Sequence, residues 1–129
     1  MNEVDAEVRY SPDHLWLRRE GARVTVGVTE KISRILTWVN AVALPTPGTR
    51  FANGAEFAEI ESQKADIALP APAALEVVAV NEALQVDPML VRMDPRGEGW
   101  LVRGRLDDGE WERLLGAAAY DELLRASVC

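Results

Sequence analysis

The chain has 129 residues, 48% of them hydrophobic, and its formal net charge is −7. This length suits one domain with an ordinary buried core, so we predict a single domain over residues 1–129. The negative charge argues against nucleic acid and anionic membranes as partners, because both would repel the surface, and it favours basic protein docking sites.

Scarce cysteine and histidine limit the chemistry of the chain. The only cysteine is the last residue, Cys129, which excludes an internal disulfide and a cysteine-based zinc cluster. Its role as a bystander or a redox thiol stays open. The acidic, polar N-terminal residues and the absence of a long apolar run predict a cytoplasmic protein. The only histidine, His14, stands beside Trp16 and is predicted to be a partly buried structural residue, so no metal site is expected.

Two strands open the predicted fold. Leu15 and Leu17 alternate with less apolar neighbours in residues 14–18, and valines alternate with Thr25 and Gly27 in residues 24–28. The polar, glycine-containing residues 19–22 between them predict a hairpin connection.

A change of hydrophobic period at Thr29 predicts a short helix near residues 29–36. Ile32 and Leu36 fall on one helical face, and Thr29 is a suitable N-cap. Residues 38–44 then predict an apolar strand, which ends at Pro45-Thr46-Pro47-Gly48.

Lys64 lies where the chain is predicted to reverse direction. Residues 56–61 follow the turn signal Asn53-Gly54, while residues 67–69 and 75–80 predict further strands. A lysine at such a turn projects its amine away from the domain, where another enzyme can modify it. The alternative is an ordinary solvated lysine, which is the common case in turns.

The C-terminal part changes from strand to helix. Residues 94–99 predict a turn and residues 100–106 a strand, after which Asp108 can cap a helical segment. Residues 117–125 predict a helix, and the apolar stripe that begins at Trp111 is typical of core packing. We expect these helices to cover one end of the sheets.

The sequence resembles the lipoyl-carrier H protein of the glycine cleavage system and the related H-like lipoate-binding proteins, in segments that are spread over nearly the whole chain. The modified lysine of that family lies in a Glu-Ser-x-Lys-Ala segment, matched here by Glu61 to Ala65. The other matching segments are Tyr10-Ser11-Pro12 with His14 and Trp16, Gly27-Val28-Thr29, Asn81-Glu82-Ala83-Leu84, and Asp94-Pro95 with Gly97-Glu98-Gly99-Trp100.

The resemblance implies a mainly β fold, a flattened β-barrel or sandwich of the lipoyl/biotinyl (barrel-sandwich hybrid) type. Two similar halves, residues 48–61 and 72–86, would flank Lys64 at a hairpin tip. It also implies lipoate attached covalently through Lys64, with Glu61 and Ser62 contributing to recognition of the turn by a lipoate-protein ligase or lipoyl-transfer enzyme. The protein would be a carrier and not a catalyst, since no hydrolase, kinase or metalloenzyme motif is present.

Some positions depart from the family pattern. Leu15 replaces an acidic residue, Lys31 replaces a histidine or small polar residue, and Ile67 and Ala68 replace Ser-Asp. These four residues are candidates for the cleft that shelters the arm, where acidic or hydrogen-bonding groups would best hold an aminomethyl group.

Three functions follow from the resemblance. The departures favour a specialised carrier of sulfur oxidation, working with a disulfide reductase-like complex and a dihydrolipoamide dehydrogenase. The alternative is the H protein of the glycine cleavage system, which carries the aminomethyl group between glycine decarboxylase and aminomethyltransferase. A third hypothesis is an unmodified docking module.

Overall fold

Strands make up most of the regular secondary structure in this computed structural model, which describes residues 7–126. They form two antiparallel sheets that do not close into a barrel. The strands are β1 (Glu7–Tyr10), β2 (Leu15–Glu20), β3 (Arg23–Val28), β4 (Val39–Ala43), β5 (Arg50–Phe51), β6 (Glu56–Ser62), β7 (Asp66–Pro70), β8 (Leu75–Val80) and β9 (Val102–Leu106). The mainly β, sandwich-like architecture implied by the resemblance is confirmed.

The two sheets differ in size and in what they carry. The larger has six strands in the order β1-β2-β3-β9-β8-β5, and the smaller has three in the order β4-β6-β7. The connection between β6 and β7 holds Lys64, so the predicted modification site belongs to the small sheet. The helices are α1 (Glu30–Ser33), α2 (Ala83–Val86), α3 (Leu90–Met93), α4 (Glu110–Arg113) and α5 (Ala117–Ala126).

One hydrophobic cluster receives side chains from both sheets. Leu15, Leu17 and Val26 from the large sheet and Ile60 and Leu69 from the small sheet are almost completely buried within it. Their alternation along the strands places successive apolar residues on the face that points into the cluster. Burial of this shared core therefore holds the two sheets together.

The predicted helix over residues 29–36 is shorter than expected. Regular helix ends at Ser33, and the chain continues in tighter turns, in which the Leu36 N–H donates to the Ser33 carbonyl at 3.3 Å. Thr29 stands at the N-cap position but makes no capping hydrogen bond. Its hydroxyl lies 2.7 Å from the Tyr120 hydroxyl instead.

Four further features differ from the sequence-based expectation. Residues 83–86 form α2 and not extended chain, and β1 and α3 were not predicted. Asp108 does not cap α4, whose N-cap residue is Gly109 in the left-handed region at φ 84°. Helices of one turn carry too few residues to show a hydrophobic period, which explains why α2 and α3 left no signal.

The C-terminal helices pack on the large sheet as expected. Trp111 is buried, and Tyr120 of α5 stacks on Tyr10 of β1 with ring centroids 4.5 Å apart. None of the helices in residues 7–126 has the length and apolar character needed to cross a bilayer.

Candidate functional site

Lys64 lies at the tip of the β6–β7 hairpin. The strands pair up to Glu61 and Asp66, and residues 62–65 reverse the chain. The Ser62 N–H donates to the Ala65 carbonyl at 3.0 Å, which closes the turn. Gln63 and Lys64 are the two exposed residues at its apex. This is the position that the sequence predicted for Lys64.

The buried Ser62 hydroxyl fixes the shape of this turn. It donates to the Ala65 carbonyl at 2.7 Å and accepts the Ala65 N–H at 3.3 Å. Neither Gln63 nor Lys64 has a positive φ, so the turn is not one of the left-handed types that two-residue hairpins prefer. The serine side chain satisfies the Ala65 N–H, which such a turn would otherwise leave unpaired, and adds a second bond to the Ala65 carbonyl.

A backbone contact from outside the hairpin supports the apex. The Gln63 N–H donates to the Trp38 carbonyl at 2.8 Å, one step beyond the pairing of Val39 with Ser62. The residue next to Lys64 is thereby tied to the chain that enters β4. The turn is held on both sides while the lysine side chain points away.

Lys64 is free to react with an incoming acyl group. Its side chain is exposed and has no hydrogen bond or ion pair within the described residues 7–126. An amine that is neither paired nor buried can be acylated without breaking an existing interaction. The residues present therefore fit a covalently attached lipoyl group.

Two carboxylates flank the turn on its outer face. Glu61 and Asp66 face each other across β6 and β7, and both are exposed. Like charges in directly opposed positions weaken strand pairing slightly. Their placement gives the surface beside the lysine two negative charges. Asp66 was not predicted as a site residue.

A second polar group joins α1, β1 and the turn before β9. Arg96 donates to both carboxylate oxygens of Glu30, at 2.9 and 3.0 Å, and to the Tyr10 hydroxyl at 2.9 Å. The hydrogen bonds from Arg96 hold the pKa of Glu30 below its usual value. Although burial opposes it, the same contacts raise the pKa of Arg96, so the pair stays ionised.

His14 and Tyr120 extend this group. The Tyr120 hydroxyl lies 2.9 Å from His14 Nδ1 and 2.7 Å from Thr29 Oγ1. Burial, followed by the positive charge of Lys31, lowers the pKa of His14, and burial raises the pKa of Tyr120. Both side chains are thus held neutral at pH 7 and serve as structural links, as predicted for His14.

Lys31 lines a cavity of about 240 Å³ on this side of the molecule. Tyr10, Arg34, Arg96 and Tyr120 form other parts of its wall. Lys31 is the only one of the four predicted arm-cleft residues that lines this cavity.

The other three arm-cleft residues lie elsewhere. Leu15 is fully buried in the hydrophobic core, so its prediction as a cleft residue was wrong. Ile67 faces Ile60 across the hairpin and packs against the same core, which also removes it from an open cleft. Ala68 is exposed on β7, on the face opposite to Ile67. The four residues do not form one cleft.

Trp38 is the contacting residue that sequence reasoning missed. Its indole is 59% exposed, while its carbonyl contacts the hairpin apex. The sequence placed Trp38 at the start of a predicted apolar strand, where a tryptophan is most simply interpreted as a core residue, so no signal in the sequence marked it.

The comparisons with known proteins agree on one family. A family profile described as glycine cleavage H-protein matches residues 8–127. A glycine cleavage system H protein of Enterobacter sp. is 44% identical over 126 residues, which cover 96% of this chain and 98% of the relative. One from Klebsiella pneumoniae is 42% identical with the same coverage.

A solved structure agrees with the fold. The crystal structure of a glycine cleavage system H protein from Mycobacterium marinum matches with a TM-score of 0.81 and 32% identity. The match covers 92% of this chain and 97% of the other.

Proposed function

We propose that this chain, which belongs to the glycine cleavage H-protein family, is the H protein of a glycine cleavage system and carries lipoate on Lys64. Proteins of this family are lipoyl carriers and not catalysts, and they bear lipoate covalently on a lysine. The proposal assigns glycine decarboxylase and aminomethyltransferase as the enzymes that the carrier visits. A lipoate ligase, a dihydrolipoamide dehydrogenase and a cytoplasmic location remain predictions.

The position of Lys64 is the observation that carries the proposal. Its amine is exposed at the apex of a hairpin whose backbone is held by Ser62 on one side and Trp38 on the other. When bound, lipoate supplies a dithiolane that exchanges between disulfide and dithiol forms. The chain supplies a rigid base for the arm, so that the arm and not the turn does the moving.

The sequence-based preference for sulfur oxidation is not supported. The matching family profile and the relatives reported above carry the glycine cleavage name. Two residues on which the preference depended, Leu15 and Ile67, pack in or against the core. Their apolar character reflects packing and says nothing about the group that the arm carries.

The attachment point can be tested by intact-mass measurement of protein from lipoate-replete cells. Lys64→Arg should abolish the mass increment of the lipoyl group, because arginine keeps the positive charge but is not an acyl acceptor. Lys31 is the only other lysine in the chain, so Lys31→Arg is a matched control and should retain the increment. An increment that survives in Lys64→Arg and disappears in Lys31→Arg would contradict the assignment. Absence of the increment from wild type would favour an unmodified docking module.

The carried group can be tested by reconstitution. The lipoylated protein should support glycine-dependent CO₂ release with glycine decarboxylase and transfer of the one-carbon unit with aminomethyltransferase. Lys64→Arg should be inactive in both assays. Full lipoylation with no turnover by either enzyme would overturn the glycine cleavage assignment while leaving the carrier role intact.

A further inference from the structure

An exposed apolar patch adjoins the lysine hairpin. Ile35, Trp38 and Met93 are 61%, 59% and 66% exposed, whereas the other tryptophans, Trp16, Trp100 and Trp111, are buried or half-buried. We call these three residues, with the basic residues Lys31, Arg34 and Arg92 beside them, the Trp38 patch. Such a group of large apolar side chains in solvent is typical of an interaction surface.

Hydrogen bonds link the two segments that carry the patch. Arg92 Nε donates to the Leu36 carbonyl at 2.9 Å, and its Nη1 lies 3.6 Å from the Met93 sulfur. Arg92 therefore joins α3 to the segment that carries Ile35 and Trp38. The Val39 N–H, 3.2 Å from the Met89 sulfur, adds a second link between the two segments.

The patch also reaches Lys64. The Trp38 carbonyl accepts the Gln63 N–H at 2.8 Å, and Gln63 is the neighbour of Lys64 in the chain. A protein that covers Trp38 must therefore come within reach of the group on Lys64. This places the patch where an enzyme acting on the arm would touch the carrier.

The charge of the patch is opposite to that of the chain. Lys31, Arg34 and Arg92 are exposed, and none has an ion-pair partner among residues 7–126, although the chain carries −7 overall. Arg34 precedes Ile35 and Arg92 precedes Met93 in the chain, so each of these exposed apolar residues has an exposed cation as its immediate neighbour. The matching partner has an apolar recess bordered by carboxylates.

A second copy of this chain does not fit this surface. A two-fold dimer would bring the patch against itself and would place three cations opposite three cations. Like charges at such an interface oppose association. The complementary surface must therefore belong to a different protein.

We propose that the Trp38 patch is the docking face for the enzyme that loads the arm, and that this enzyme seats Trp38 in an acidic-rimmed apolar recess. The inference rests on the proposed function and adds the surface, the anchor residue and the chemistry of the partner.

The test is the steady-state rate of purified glycine decarboxylase with the lipoylated protein as the varied substrate. Trp38→Ala should raise KM about tenfold and leave kcat within about twofold, because a central aromatic anchor contributes mainly to binding. Trp38→Phe keeps a large apolar side chain and should restore most of the loss. Intact mass and thermal unfolding confirm that each variant is lipoylated and folded.

Two double variants that change the net charge equally test the basic residues of the Trp38 patch. The double variant Lys31→Glu/Arg34→Glu should raise KM about tenfold and weaken its dependence on salt. Arg23→Glu/Arg105→Glu changes the net charge equally. These arginines lie at the end of β3 and β9 that is farther from α1. This control should therefore keep the wild-type KM.

The possible outcomes separate the two proposals. Wild-type turnover with an unchanged KM in Trp38→Ala would overturn the docking face and leave the proposed function standing. Equal losses in both charge-matched doubles would also overturn it, because net charge alone would then explain the effect. A wild-type dimer that Trp38→Ala dissociates, seen by sedimentation, would assign the patch to a second copy and reject the proposal. Lack of wild-type turnover would reject the proposed function itself.

Discussion

The Ser62 hydroxyl hydrogen-bonds backbone groups in the turn that presents Lys64. It donates to the Ala65 carbonyl and accepts the Ala65 N–H. We expect Ser62→Ala to leave the Ala65 N–H without its partner, while the Ala65 carbonyl keeps the Ser62 N–H, and to lower the free energy of unfolding by about 1 kcal/mol. The looser turn should also slow lipoylation in vitro, followed by intact mass over time.

Ser33→Ala is the matched control for this prediction. Ser33 is similarly buried, and its hydroxyl makes a local bond to the Glu30 carbonyl at 3.4 Å, away from the hairpin. Ser33→Ala should lower the free energy of unfolding, while lipoylation proceeds at the wild-type rate. Equal lipoylation rates for Ser62→Ala and Ser33→Ala would show that the Ser62 hydroxyl does not shape the modification site.

Acid sensitivity is expected at His14. Burial, with Lys31 second, lowers the pKa of His14 below its ordinary 6.5, so near pH 6 the folded state binds fewer protons than the unfolded chain. The resulting stability is present above pH 6.5 and is lost as the pH falls through the lowered folded value. Glu30, whose pKa is lowered from 4.5 by Arg96, adds a second loss at more acidic pH.

Urea unfolding at a series of pH values measures this effect. The wild-type midpoint should decrease on going from about pH 8 to about pH 5. His14→Gln cannot titrate and should show a flatter profile over that range. A wild-type profile as flat as that of His14→Gln would mean that folding does not perturb the histidine.

At the residue scale, the predictions succeeded where local pattern determines position. Lys64 was placed correctly because extended segments on both sides force a reversal between them. Leu15 was misassigned as a cleft residue, although its alternation with Leu17 puts both on the core-facing side of β2. Trp16, on the opposite face, is also buried, and its indole N–H donates to the Pro95 carbonyl at 3.1 Å. That contact depends on a turn 79 residues away, which no local pattern can reveal.

Among the elements, the turn over residues 94–99 is the most tightly constrained. Gly97 and Gly99 both donate their N–H to the Asp94 carbonyl, and a Cβ on Gly99 would lie 2.2 Å from the Leu90 carbonyl oxygen of α3. Since that oxygen is backbone, it cannot swing away. Gly99→Ala should therefore destabilise the fold by about 2 kcal/mol or more, measured by urea unfolding.

Gly116→Ala provides the comparison for Gly99→Ala. A Cβ at Gly116 meets nothing within 4 Å, so this variant should change stability by less than about 0.5 kcal/mol. If Gly99→Ala were equally neutral, the close approach of the 94–99 turn to α3 would be refuted. Gly116 directly precedes α5, where alanine is a poorer N-cap residue than glycine, so any small loss of stability in Gly116→Ala has that origin.

The elements also show what sequence can and cannot predict. The β2–β3 hairpin follows from alternation along two six-residue strands. Helix α5 follows from apolar residues that recur at helical spacing over ten residues. β5 has two residues, and α2 and α3 have four each, which is too short for either period to appear. Their conformations are set by tertiary contacts, such as the Gln85 amide donating to the Val42 carbonyl at 3.2 Å.

For the molecule as a whole, strand order could not be derived from the sequence. β3 pairs with β9, although about 75 residues separate them, and the lysine hairpin belongs to a different sheet from its neighbour β8. Local alternation identifies strands but does not name their partners. The resemblance supplied the two-sheet architecture, and one shared core explains why it is stable.

This shared core predicts that the lysine hairpin has no stability of its own. Ile60 of β6 is completely buried in the cluster that also contains Leu15 and Val26 of the large sheet. Ile60→Ala should therefore lower the free energy of unfolding of the whole chain by about 2–5 kcal/mol in one cooperative transition. Ile35→Ala removes the same atoms from an exposed position and should cost less than about 0.5 kcal/mol.

Hydrogen exchange distinguishes a shared core from two independent sheets. In Ile60→Ala, the amides of β2 and β3 should lose protection by the same free energy as those of β6 and β7, because both sheets unfold together. Loss of protection confined to β6 and β7 would show that the small sheet opens alone. The base of the lysine arm would then be a separately mobile unit, contrary to the rigid platform on which the proposed carrier function depends.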